Sequence, residues 1–197
     1  MKKVLLLGDS IRMGYEEYVK EYLDGQCQVY YDAQDNGRFA FYTLWQANQF
    51  FRHEGKFDVV HWNNGYWDMN IEPPMEEPLC PVEDYVHLLH RIIREIRRNG
   101  AKIIFATTTP ILRSGSAADN TGTGADAIAY NDQWVQTYNA AAVKVMEEEG
   151  VTVNDLYALC KEDPNYYKCE DLLHLTEEGY RRCARQTADL ILRALEE

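Results

Sequence analysis

Two short clusters near opposite ends of a 197-residue chain carry side chains that could work together. Gly8-Asp9-Ser10 directly follows an apolar run at 4–7 and precedes a helical pattern, and Asp171-Leu172-Leu173-His174 stands just before the final helical pattern. A serine hydroxyl is weakly reactive at neutral pH and needs a base to take its proton. Histidine suits that task, and a carboxylate on its other ring nitrogen can fix its orientation. The implied chemistry is acyl transfer, with attack by Ser10, proton acceptance by His174 and orientation by Asp171. Each fragment also has a plainer reading: Gly-Asp-Ser as a turn followed by a helix cap, Asp-x-x-His as a polar turn. Their occurrence together favours catalysis.

The intervening pattern must bring these ends together. Short apolar runs at 4–7, 28–31, 57–62, 102–107 and 151–154 predict five strands. Helices are expected at 12–23, 39–51, 82–98 and 128–149, with a last helix capped by Thr176. Over 82–98, Val86, Leu89, Ile92, Ile93 and Ile96 recur at the spacing of one buried helical face, and Asn99-Gly100 ends it. The segment 114–127 is rich in Gly, Ala, Ser, Thr and Asp and predicts a loop. Repeated β-α units favour right-handed crossovers and a largely parallel sheet with helices on both faces. Sites in such sheets form beyond the carboxyl ends of the strands, where Ser10 would stand.

Gly8-Asp9-Ser10-Ile11 and Asp171-Leu172-Leu173-His174-Leu175 resemble the first and last sequence blocks of the SGNH/GDSL esterase–lipase superfamily. The resemblance implies Ser10 as nucleophile, His174 as base and Asp171 as its orienter. It implies one domain over 1–197 with a flavodoxin-like three-layer α/β/α sandwich and a five-stranded parallel sheet of order 2-1-3-4-5. Asn36-Gly37-Arg38 is similar to the second block, which places the Gly37 N–H beside that of Ser10 in an oxyanion hole. The third block departs from the family's Gly-x-Asn-Asp: Gly65-Tyr66-Trp67-Asp68 puts Trp67 where the amide donor normally stands. Asn63 and Asn64, just upstream, are the candidate replacements, with Asn63 preferred. The alternative is that both satisfy a strand-to-loop turn.

A formal net charge of -12, from 32 acidic and 20 basic side chains, would repel nucleic acid and anionic membrane surfaces. A neutral substrate fits that average better than a polyanion, although a local basic patch could override it. Short carbohydrate esters, O-acetyl groups above all, are the expected substrates, with Arg38, Tyr66 and Trp67 as binding residues and Trp62 either beside them or in the core. A lysophospholipase or thioesterase is the alternative enzyme. A non-catalytic carbohydrate-binding protein is the alternative of another class. The mechanism calls for no metal or organic cofactor. Five cysteines without a close CxxC pair argue against structural zinc; reduced thiols in the cytoplasm are expected, with a Cys160–Cys169 disulfide conceivable. His53, His87 and His90 are read as surface or packing residues and His61 as a strand residue. The four-residue run at 4–7 is too short for a secretory signal core.

Overall fold

The computed structural model describes residues 1–72, 74–112, 131–167 and 173–196. Five strands, β1 (Lys3–Leu7), β2 (Gln28–Tyr30), β3 (Val59–Trp62), β4 (Lys102–Ala106) and β5 (Thr152–Asn154), pair in parallel in the order β2-β1-β3-β4-β5. Helices α1 (Ser10–Tyr22), α2 (Ala40–Glu54), α3 (Val82–Asn99), α4 (Asp132–Glu149), α5 (Leu156–Lys161) and α6 (Glu177–Glu196) cover the sheet. The chain steps from β1 outward to β2 and then back past β1 to β3. Right-handed crossovers therefore put α1 on one face and α2, α3 and α4 on the other. Every residue of β3 and all of β1 after Lys3 are buried, as central parallel strands covered on both faces require.

The first and last of the long helices, α1 and α6, pack against each other. Gly14 permits that approach, because a Cβ there would lie 2.2 Å from the Tyr180 ring. Helices α3 and α4 end where Gly100 and Gly150 adopt left-handed backbone, a conformation that glycine enters without steric cost. In the sheet register Leu7 stands opposite Trp62, and Trp62 opposite Phe105. Strands β1, β3 and β4 thus finish together, and the segments 8–10, 63–65 and 107–109 emerge side by side.

Two local differences from the sequence expectation matter. Helix α1 starts at Ser10, because the Asp9 carboxylate caps it by accepting from the Ile11 N–H at 2.9 Å. The short α5 was not anticipated; Asp155 caps it through the Ala158 N–H at 3.0 Å. Cys160 and Cys183 are buried free thiols with sulfurs 3.4 Å apart, while Cys169 lies outside the described residues, as does the predicted loop at 114–127. Among the described residues, no helix is long and apolar enough to cross a membrane.

Candidate active site

The capping of α1 by Asp9 makes Ser10 the first residue of that helix, beyond the carboxyl end of a central strand. His174 arrives from the far end of the chain. Its segment is fixed by a Tyr167–Leu175 bridge, by the Thr176 N–H donating to Tyr166 O at 2.7 Å, and by Thr176 Oγ1 accepting from the Gly179 N–H at 3.3 Å. Ser10 Oγ and His174 Nε2 are 2.8 Å apart. That distance allows direct proton transfer from hydroxyl to imidazole. Asp171 lies outside the described residues.

The first turn of α1 also presents the positive end of the helix dipole and backbone N–H groups without intrahelical partners. Of the sequence-predicted oxyanion donors, only the Ser10 N–H belongs to that turn. The Gly37 N–H donates to Gly8 O at 2.9 Å. Glycine is required at 37 because a Cβ would lie 2.5 Å from that same oxygen. Asn63 directs its amide to Ala106 O at 2.9 Å and lies 3.4 Å from Thr108 Oγ1, so it closes the gap between the ends of β3 and β4. Asn64 donates to Thr43 Oγ1 at 2.9 Å and Arg38 O at 3.1 Å. Both amides are thus engaged by acceptors of the surrounding framework. A sequence identifies an amide but not the direction in which it donates.

The expected substrate-binding residues also separate. Tyr66 is only 2% exposed and donates its hydroxyl to Thr109 O at 2.6 Å, so it is a core residue and not part of a rim. Trp62 is likewise buried, edge-on to Phe105. Trp67 is half-buried against the core. Arg38 remains partly exposed; its guanidinium lies 3.6 Å from Asp35 and 5.0 Å from the centre of the Tyr42 ring. Its backbone φ of 46° is the only positive value at a non-glycine among the described residues. Asn36 Oδ1 stabilises this turn by accepting from the Arg38 N–H at 2.9 Å. A backbone outlier between Gly37 and α2 is the kind of local strain that surrounding structure must hold in place.

Three features escaped the sequence reading. Arg12, buried two residues after Ser10, pairs with Glu16 and donates to Asp32 O at 3.0 Å and Asp35 O at 2.8 Å, clamping the 32–38 loop to α1. Asp9 is fully buried, and burial pushes its carboxyl from 3.8 up to about 6 against the opposing effects of the Ile11 N–H and the charges of His174 and Arg12. Asp68 accepts from the Ala40 N–H at 2.8 Å, and burial pushes it up to about 8. Between its ordinary value and its raised one, each carboxyl holds a proton in the folded chain that it releases on unfolding. Their contribution to stability is therefore fully present below about pH 4 and lost as pH rises towards about 8. Thermal unfolding from pH 5.5 to 8.5 should give a falling Tm in the wild type and a shallower fall in Asp68→Asn. An equally steep fall in both proteins would remove Asp68 as a source.

A hydroxyl and an imidazole in contact beyond the carboxyl edge of a parallel sheet are the working parts of a hydrolase. The chain belongs to the GDSL-like Lipase/Acylhydrolase family, whose sequence profile matches residues 6–182. The same fold occurs in the lipase/acylhydrolase from Enterococcus faecalis, at 21% identity and a TM-score of 0.76, covering 97% of this chain and 95% of that one. It also occurs in a carbohydrate esterase family 3 protein from Talaromyces cellulolyticus, at 16% identity and a TM-score of 0.71, with both chains covered over 100%. An acetyl xylan esterase gives a TM-score of 0.70 at 17% identity, covering 96% of this chain and 99% of that one. No curated protein matches the sequence. Family and fold together make this chain an ester hydrolase.

Proposed function

We propose that the chain is a serine esterase that removes short acyl groups, acetyl foremost, from carbohydrates. The observation that carries this reading is the 2.8 Å contact between Ser10 Oγ and His174 Nε2 at the start of α1. Ser10 attacks the ester carbonyl as His174 takes its proton. The developing oxyanion meets the Ser10 N–H and the positive end of α1, where a fixed dipole needs no reorganisation during reaction. His174 then protonates the departing sugar hydroxyl, leaving an acyl-serine that water cleaves with His174 again as base. Asp171, three residues before His174, is assigned as the carboxylate that orients the imidazole. Gly37, Asn63 and Asn64 are assigned to holding the neighbouring turns. The sugar preference draws on two structural relatives named for carbohydrate ester hydrolysis.

The deciding measurement is kcat/KM on aryl esters of acetate, butyrate and octanoate, with Ser10→Ala as control. Turnover should be highest with acetate and fall with chain length. A steady rise through eight or more carbons would replace this reading with a lipid or thioester substrate.

A further inference from the structure

The groove between α2 and α3 departs from the acidic character of the whole. In a protein of net charge -12, it is lined by Arg91, Arg94 and Arg98 from α3 and by Phe41, Tyr42 and Trp45 from α2. Phe41 and Trp45 are 59% and 52% exposed, so each offers an open ring face. Tyr42 and Trp45 lie 5.3 Å apart, and Arg38 stacks on Tyr42, so the aromatic row runs outward from the turn beside Ser10. Arg98 pairs with Glu95 on its own helix. Among the described residues, Arg91 and Arg94 meet no carboxylate within ion-pair distance. The groove holds about 530 Å³. Through Phe41 it adjoins a second hollow of about 390 Å³ that Phe39, the residue after Arg38, helps to line.

Flat aromatic faces receive the C–H face of a sugar ring, and the guanidinium fork matches a carboxylate in a bidentate pair. Arg91 and Arg94 are three residues apart, about 4.5 Å along the helix, which sets the two guanidinium groups on one face of α3 for neighbouring charges on an extended chain. We propose that this groove binds an acidic polysaccharide, with uronate carboxylates on Arg91 and Arg94 and sugar rings on Phe41 and Trp45. The substrate class is then an O-acetylated, uronate-bearing carbohydrate. This inference rests on the esterase reading above and narrows it.

The test measures acetate release from aryl acetate, from O-acetylated polygalacturonate, and from the same polymer with its carboxylates capped as amides. Arg91→Glu/Arg94→Glu, outside the Ser10 site, should lower kcat/KM on the acidic polymer at least 10-fold, through KM, with the loss shrinking at high salt. Turnover of aryl acetate and of the amide-capped polymer should not change. Equal wild-type activity on the two polymers, or an equal loss by the variant on all three substrates, would overturn the groove assignment while leaving the esterase reading intact. Failure of the wild type on aryl acetate would strike the esterase reading instead. Affinity electrophoresis in polygalacturonate then tests the groove without turnover: retardation lost in the double variant supports it, and no retardation of the wild type overturns it. Retardation by DNA with none by the polymer would assign the patch to another polyanion and likewise overturn the proposal.

Discussion

Replacing Ser10 by alanine should lower kcat on aryl acetate by about 10⁴–10⁶-fold while leaving the protein folded, and His174→Ala should come close to the same loss. The two side chains act as one unit: the hydroxyl gains reactivity only through the imidazole 2.8 Å away. The double variant should therefore be little worse than either single one, since the second change removes a partner that no longer works. Ser10 is the first residue of α1, and the Asp9 cap and Ile11 N–H stay in place when only Oγ is lost. Thermal unfolding should show little change in Ser10→Ala. A folded Ser10→Ala retaining a tenth of wild-type kcat would exclude the hydroxyl as nucleophile. Losses that multiply in the double variant would show that Ser10 and His174 act independently.

The second large effect is expected at Arg12. Its guanidinium is 1% exposed, pairs with the buried Glu16 carboxylate, and holds the carbonyls of Asp32 and Asp35. Removing one member of a buried ion pair strands the other charge, typically at about 3–5 kcal/mol. In a domain of this size, Arg12→Met should thus lower Tm by roughly 6–20 °C. Arg12→Met/Glu16→Met removes both charges and should recover most of that stability. Turnover should not recover with it, because the 32–38 loop has still lost its two anchoring donors and with them the placement of Gly37 against Gly8. Full recovery of kcat in the double variant would mean that Arg12 serves stability alone. A Tm within about 2 °C of wild type in the single variant would deny the buried pair any weight.

The elements were legible because apolar runs and helical spacing report burial directly, whereas the strand order followed only from the resemblance of the terminal blocks to a known family. The run at 4–7 and the stripe from Leu89 to Ile96 are buried where the pattern put them. Ser10 and His174 were legible as types at the right ends of the right elements. The third block was not. Asn63 and Asn64 have the donor chemistry expected of an oxyanion hole, yet the ends of β3 and β4 leave carbonyl and hydroxyl acceptors closer to hand, and the amides satisfy those. Tyr66 failed for a related reason. A tyrosine after Gly65 can turn outward to a ligand or inward to Thr109, and periodicity has no information about a single residue in a loop. The Arg12 clamp was hidden because its partners are backbone carbonyls, which every residue carries. Helix α5, six residues long, is too short to display a period.

Ser10 and His174 are 164 positions apart, and α6, which follows His174, locks onto α1 where Tyr180 covers Gly14. During synthesis the five strands leave the ribosome before His174 does. A nascent chain can therefore assemble most of its sheet while Ser10 still lacks a base, and the reactive pair forms only once His174 has emerged. Activity therefore requires synthesis to have passed residue 174, and a product cut short anywhere before it would carry Ser10 as an inert alcohol.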